Sequence, residues 1–203
     1  MTNQNAKPSH PIAVDENAID QPISKDYSSD EDWCTVAEIE EAVAAFLAGD
    51  LTLAQLEGLS AEELYQVADL GYDLAAEGKL EDARKIFEGL YCYNPYDAYF
   101  HAALGSIYQK QSQLQSALDH YETAVELWDE DIHSWTNAAE VALQLATDFS
   151  TDGDNDEAEV KFVFAAEALQ RAVALDPKGD HPAGLRARAI ISATVGSMET
   201  ARV

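Results

Sequence analysis

The amino-acid sequence predicts an all-α fold, a solenoid of about three helical hairpins with a capping helix at its N-terminal and its C-terminal end. Two observations lead to this prediction. Apolar residues recur at helical spacing from about residue 36 to the C-terminus. The stretch from Leu64 to Asp129 also contains two copies of one hairpin pattern, offset by about 34 residues.

The two copies share a distinctive order of small and large side chains. The eighth and twentieth slots are small and the twenty-fourth is aromatic: Gly71, Ala83 and Phe87 in the first copy, and Gly105, Ala117 and Tyr121 in the second. Small residues let two helices approach closely, and the aromatic residue fills the space between neighbouring hairpins. This pattern is typical of tetratricopeptide repeats, which we place at about 64–97, 98–131 and 132–177. An ordinary helical bundle is the alternative interpretation.

Composition divides the chain into a tail and one domain. Residues 1–32 contain Pro8, Pro11 and Pro22 with few apolar residues, which predicts a disordered acidic tail. The alternative is that Ile12 and Val14, with Ile19, dock on the folded body. Residues 33–203 then form the repeat domain.

Local signals mark where each helix starts and stops. Thr35 with Glu38, and Ser60 with Glu63, have the spacing of capping boxes, and Gly49 ends the first helix. That helix is expected to cap the solenoid or to pair with a second subunit, and a short helix follows within 51–59. The remaining predicted helices span 61–77, 80–93, 97–111 and 114–128. A third pair of helices is expected between Asp131, which caps the inner helix, and Pro177, which follows the outer helix, and a capping helix is expected at 181–200. An acidic insertion, predicted as a loop, occupies 146–159.

Charge and motifs exclude several classes of function. Twelve basic and 38 acidic residues give the 203-residue chain a formal net charge of -26, which argues against binding to nucleic acid or to anionic lipid. No apolar run is long enough for a membrane helix or a signal peptide. Cys34 and Cys92 are too few for a disulfide framework and are expected to be buried, reduced thiols. The histidines lack metal-ligand spacing, and no phosphate loop or nucleophile elbow occurs, so an enzyme is not expected.

One part of the sequence is similar to a known family. The run Phe46-Leu47-Ala48-Gly49 and the lead-in Thr52-Leu53-Ala54-Gln55-Leu56 precede the segment Gly78-Lys79-Leu80-Glu81-Asp82-Ala83. Together with Tyr96-Asp97, Leu104-Gly105 and Asn137-Ala138-Ala139-Glu140, these residues resemble the SycD/LcrH-type class II chaperones of type III secretion. The resemblance covers residue 46 to about residue 144. It implies a bacterial cytosolic chaperone that holds a hydrophobic translocator protein before export, and a homodimer formed through the N-terminal helices.

The repeat register predicts which side chains would contact a client. Inner helices line the concave side of a stack of hairpins, and slots two, five, nine and twelve of each are expected to face it. An aromatic-lined groove suits extended, proline-containing segments. The predicted groove residues are Tyr65, Ala68, Tyr72 and Ala75, then Tyr99, Ala102, Ser106 and Gln109, and then His133, Thr136, Glu140 and Leu143. The resemblance places Tyr72 at an aromatic groove position, whereas Ala68 and Ala75 stand where the family tends to have tyrosines. A general tetratricopeptide adaptor is the alternative function.

The acidic insertion has the spacing of an EF-hand calcium loop. Oxygen-bearing side chains occur at loop positions 1, 3, 5, 7, 9 and 12, and Gly153 stands at position 6. The candidate calcium ligands are Asp148, Ser150, Asp152, Asp154, Asp156 and Glu159. Asn155 replaces the usual apolar residue at position 8, and no second loop is available for pairing. A solvated acidic loop without a cofactor is the alternative, and the sequence predicts no other metal.

Overall fold

The computed structural model describes residues 36–200, with side chains from 37 to 194. The predicted tail at 1–32, Cys34, and Thr35 of the first capping box lie outside the described residues. Within this part of the chain all regular structure is helical, which confirms the predicted fold class. The helices are α1 (Val36–Ala48), α2 (Leu53–Leu56), α3 (Ala61–Ala76), α4 (Leu80–Tyr93), α5 (Ala98–Lys110), α6 (Leu114–Leu127), α7 (Ile132–Asp152), α8 (Asn155–Leu175) and α9 (Pro182–Thr200).

The predicted start signals form the expected hydrogen bonds. The Glu63 carboxylate accepts from the Ser60 backbone N–H at 2.9 Å, and the Ser60 hydroxyl accepts from the Glu63 N–H at 3.3 Å. Asp97 caps α5 by accepting from the Tyr99 N–H at 2.9 Å, and Asp131 caps α7 in the same way. These side chains satisfy donors that the first turn of a helix leaves unpaired. The helix boundaries were therefore readable from the sequence.

In each of the first two hairpins, the predicted small residue of one helix contacts the predicted aromatic residue of the other helix. A Cβ atom added to Gly71 in α3 would lie 2.8 Å from the Phe87 ring in α4. One added to Gly105 in α5 would lie 2.9 Å from the Tyr121 ring in α6. Phe87 and Tyr121 are almost completely buried, as expected for side chains that fill the space beside a closely approaching helix.

The third hairpin differs from the prediction. The acidic insertion at 146–159 is not a loop, because α7 runs to Asp152 and α8 begins at Asn155. Gly153 links the two helices in the left-handed conformation, with φ of 87°. Asp154 caps α8 by accepting from the Glu157 N–H at 3.3 Å. The extra residues therefore lengthen both helices to 21 residues each, instead of forming a separate segment.

The chain divides into two compact units, with the boundary between Gln66 and Val67 inside α3. In the first unit, Ala54 of α2 is buried. The core of the second unit is built mostly from small and aliphatic side chains of α6, α7, α8 and α9. Ala165, Leu169 and Ala172 of α8 all belong to this core, as does Ala187 of the C-terminal helix. The predicted C-terminal capping helix therefore packs as an integral part of the second unit.

Candidate functional site

Two predicted groove tyrosines lie close together in the second unit. Tyr72 is half-buried on α3, and Tyr99 is half-buried in the first turn of α5. The Tyr99 ring packs edge-on against Phe87, with the ring centroids 6.0 Å apart. Burial, reinforced by Asp69 and the neighbouring Tyr72, raises the pKa of Tyr99 to about 12. The pair, which we call the tyrosine patch, therefore offers aromatic surface, and the Tyr99 hydroxyl is neutral at neutral pH.

Polar groups continue from the second hairpin toward the third. The Tyr121 hydroxyl donates to the Gln109 Oε1 atom at 3.1 Å. Ser106 and Asn137 interact with the same hydroxyl, and burial raises the pKa of Tyr121. The predicted groove residues Ser106 and Gln109 are only partly buried. They therefore belong to a network that is anchored on a buried tyrosine and keeps hydrogen-bonding atoms near the surface.

The C-terminal helix contacts two of the predicted groove residues of the third repeat. Arg186 of α9 forms an ion pair with Glu140, with 2.8 Å between Nε and Oε1, and also donates a hydrogen bond to Asn137. The Thr136 hydroxyl lies 3.3 Å from the Ala183 carbonyl oxygen, and Thr136 is completely buried. We call the contacts of Arg186 with Glu140 and Asn137 the Arg186 junction. It places a cation beside the predicted groove of an otherwise acidic protein.

Burial separates the predicted groove residues into three groups. Ala68 and Thr136 are completely buried, so both were wrongly predicted to contact a client. His133 is exposed, and its ring packs edge-on against His181 at 4.7 Å. The other predicted residues are partly buried: Tyr65, Tyr72, Ala75, Tyr99, Ala102, Ser106, Gln109, Glu140 and Leu143. Tyr65 lies in the first unit, so its place beside the others stays a prediction.

Asn137 and Arg186 were not predicted as groove residues, although both contact the site. A signal for Arg186 was present in the sequence. If the C-terminal helix is counted as the inner helix of a fourth repeat, with Pro182 in the first slot, Arg186 occupies the fifth slot. The fifth slot is one of the four that were expected to face the groove. Asn137 occupies the sixth slot of its repeat, which the prediction did not include.

The predicted calcium loop does not form. Asp148, Ser150 and Asp152 lie in the last turns of α7, whereas Asp156 and Glu159 lie in the first turns of α8. An EF-hand needs a 12-residue loop that wraps around the ion, and successive helical residues point in different directions. Within residues 36–200, no group of three or more His, Cys, Asp or Glu side chains converges as metal ligands do.

Because the loop geometry is absent, we expect calcium to leave the stability of the protein unchanged. A ligand that binds the folded state raises the melting temperature. Melting curves in millimolar calcium and in excess chelator should therefore coincide. A melting temperature that rises with calcium, and no longer does so in an Asp154→Asn variant, would restore the predicted site.

The remaining sequence predictions have simple outcomes. Cys92 is exposed, so its predicted burial was wrong. His101 is buried, as expected for a side chain in a structural repeat slot. In the described part of the chain, no helix combines the length and apolar character needed to cross a membrane.

Comparison with known proteins supports the repeat assignment and identifies relatives. Residues 98–178 match the tetratricopeptide repeat family. Low calcium response locus protein H from Yersinia pestis is 30% identical over 132 residues, which cover 65% of this chain and 74% of that protein.

Two solved structures are also similar. The Yersinia enterocolitica type III secretion translocator chaperone SycD is 26% identical, with a TM-score of 0.53, covering 70% of this chain and 97% of SycD. PcrH of Pseudomonas aeruginosa, in its complex with the chaperone-binding region of PopD, is 30% identical with a TM-score of 0.52, covering 70% of this chain and 97% of PcrH. The chain therefore belongs to the LcrH/SycD family of tetratricopeptide-repeat proteins.

Proposed function

We propose that this protein is a type III secretion chaperone that holds an extended segment of a hydrophobic translocator protein in the bacterial cytoplasm before export. The tyrosine patch is the observation that carries this proposal. It presents two neighbouring aromatic side chains in the repeat slots that line a peptide groove. PcrH, which is 30% identical, has been crystallised with the chaperone-binding region of PopD.

The chemistry of the site suits binding rather than catalysis. Aromatic rings bury a large area against an extended chain at a low entropic cost, and neutral hydroxyl groups satisfy its backbone. Ser106 and Gln109 add polar partners for backbone N–H and C=O groups. Holding a client requires no bond to be made or broken, so we propose that the protein is not an enzyme and needs no cofactor.

The Arg186 junction sets one end of the proposed site. Thr136 is buried beneath α9, so a client cannot reach it in this conformation. The tyrosine patch, with Ala102, Ser106 and Gln109, remains partly accessible. We therefore propose that the client lies mainly along the first two repeats and ends beside Arg186 and Glu140.

Co-expression tests the proposed function. A translocator-like protein with two hydrophobic segments should accumulate in the soluble fraction only when this chain is present, and the two should co-purify through size exclusion. A peptide from the client's extended segment should compete for the complex. If the client aggregates to the same extent with and without this chain, the proposal fails. Binding of only polar, non-secreted proteins would indicate a general adaptor.

We also propose that α1 pairs with a second copy of the chain. Its apolar side chains Ile39, Val43, Phe46 and Leu47 recur at helical spacing and are exposed, and Leu47 is 78% exposed. Burying such side chains stabilises an interface by about 1.5–3 kcal/mol each. The proposal matches the homodimer that the family resemblance implies.

A Val43→Glu, Leu47→Glu double variant should therefore be a monomer. Burying two carboxylates without partners would cost more than the interface gains. Sedimentation equilibrium of the double variant and the wild type measures the change, and circular dichroism checks the helix content. Ala37→Glu adds a single charge outside the apolar face formed by Ile39, Val43, Phe46 and Leu47 and should leave the dimer intact. A double variant that remains a dimer would rule out this face.

A further inference from the structure

The four histidines in the described part of the chain form two pairs. His133 packs against His181, as described above. In the other pair, the Nδ1 atoms of His101 in α5 and His120 in α6 are 3.2 Å apart. The Nε2 atom of His101 lies 2.9 Å from the Pro95 carbonyl oxygen, in the connection between the first two hairpins.

These distances determine where the protons are. A carbonyl oxygen only accepts hydrogen bonds, so the Nε2 atom of His101 carries a proton and donates. In neutral His101 the Nδ1 atom is then an acceptor, and Nδ1 of His120 must donate to it. If the pair gains one proton, His101 becomes a cation whose Nδ1 donates, and His120 changes tautomer to accept. A second proton leaves two N–H groups facing each other across 3.2 Å, and the hydrogen bond is lost.

The surrounding groups disfavour charge on His120. Its pKa is lowered mainly by burial and further by His101, while Asp119 and Glu88 oppose the shift. The Tyr108 ring of α5 stacks on His120, with centroids 5.4 Å apart.

The cluster is also tied to α4. The Tyr91 ring packs edge-on against both histidines, at 5.1 Å from His101 and 6.2 Å from His120. The Tyr108 hydroxyl donates to the Glu88 carboxylate at 3.1 Å, and Glu88 is paired with Arg84. The histidine pair therefore lies in the second hairpin, where α5 and α6 meet α4, and its contacts with Tyr91 and the Pro95 carbonyl connect it to the first hairpin.

The tyrosine patch depends on the same turn of α5. His101 is held by the Pro95 carbonyl, and two residues away Tyr99 packs against Phe87 of the first hairpin. The first turn of α5 thus carries His101 at the histidine pair and Tyr99 at the proposed binding site. A change that loosens this turn also moves Tyr99 relative to Tyr72.

We propose that His101 and His120 form a proton-operated latch between α5 and α6 of the second hairpin, which holds Tyr99 in its binding position at neutral pH and releases it once both histidines are protonated. Its effect on stability does not depend on the proposed function. Its effect on client affinity rests on the proposed function.

The direction of the pH effect follows from linkage. The folded state keeps His120 neutral to a lower pH than the unfolded chain, whose histidines titrate near 6.5. The stabilisation is therefore complete above pH 6.5 and is lost as the pH falls from that value through the lowered pKa of the folded state. The His133–His181 pair acts in the same direction, because desolvation of the His133 ring, which packs against His181, lowers the pKa of His133. A test must separate the two pairs.

His120→Asn isolates the latch. The asparagine amide can place a donor near the Nδ1 position and cannot gain a proton. We expect the unfolding equilibrium constant of the full-length wild type, measured in urea, to rise between about pH 7.5 and about pH 5. In His120→Asn this rise should be smaller, because the linkage to the His120 proton is removed. His10→Asn, in the N-terminal segment, should retain the wild-type rise.

An identical rise in His120→Asn and the wild type would overturn the latch. A second experiment measures the affinity for the competing client peptide at about pH 7.5 and about pH 5.5. The wild type should lose affinity on acidification by about threefold or more, and His120→Asn should lose less. A pH-independent affinity would disconnect the latch from the binding site. If no peptide binds at either pH, the proposed function fails, while the urea experiment still decides whether the latch exists.

Discussion

Replacing Tyr72 by glutamate should weaken client binding by about 30-fold or more, because central aromatic residues contribute about 2 kcal/mol or more to such interfaces. The new carboxylate would lie beside Tyr99 and Asp69, in a surface that is already acidic. An apolar client segment could cover it only by desolvating an unpaired charge. Tyr72 is half-buried rather than enclosed, so the substitution should leave the fold intact.

Fluorescence anisotropy with the client peptide measures this effect. Tyr96→Glu is the matched control, because Tyr96 is 56% exposed and lies outside the predicted groove. Tyr72→Phe should retain most of the affinity if the ring supplies the binding area, and should lose more if the hydroxyl is the main contact. Equal affinity of Tyr72→Glu and the wild type, with unchanged circular dichroism, would show that the client binds elsewhere.

Replacing Gly105 by alanine should destabilise the protein by about 1–3 kcal/mol, although alanine is the better helix former. The added methyl group would lie 2.9 Å from two carbon atoms of the Tyr121 ring. That ring is completely buried, and its hydroxyl is held by Gln109, so it cannot move away without breaking other contacts. The cost therefore arises from overpacking between α5 and α6.

Gly89→Ala provides the opposite result in the same protein. Gly89 lies within α4, and a Cβ atom added there has no neighbour within 4 Å. This substitution should stabilise the protein by about 0.5–1 kcal/mol, because alanine loses less backbone entropy in a helix. Urea denaturation of both variants measures the two changes. If Gly105→Ala also stabilises the protein, the close approach of α5 and α6 is wrong.

The sequence was most informative where the interactions are local. Helix caps join residues two or three positions apart, so Ser60, Asp97 and Asp131 could be recognised without knowing the fold. The pairing of Gly105 with Tyr121 was also predictable, because the same separation along the chain occurs between Gly71 and Phe87 in the first hairpin. The acidic insertion misled the prediction, because its ligand-like spacing is equally compatible with two helices that end and begin at Gly153.

By itself the sequence determined the helical repeats and the tight contacts inside each hairpin, and it predicted the tyrosines of the proposed binding site. Only the tertiary structure decided that Ala68 and Thr136 are buried, that Arg186 contacts Glu140, and that the Nδ1 atoms of His101 and His120 lie within hydrogen-bonding distance. The reason is physical: periodicity shows which side of a helix a residue occupies, whereas accessibility depends on which distant helix packs against that side. Here α9 covers the third repeat, and nothing local in α7 records its presence.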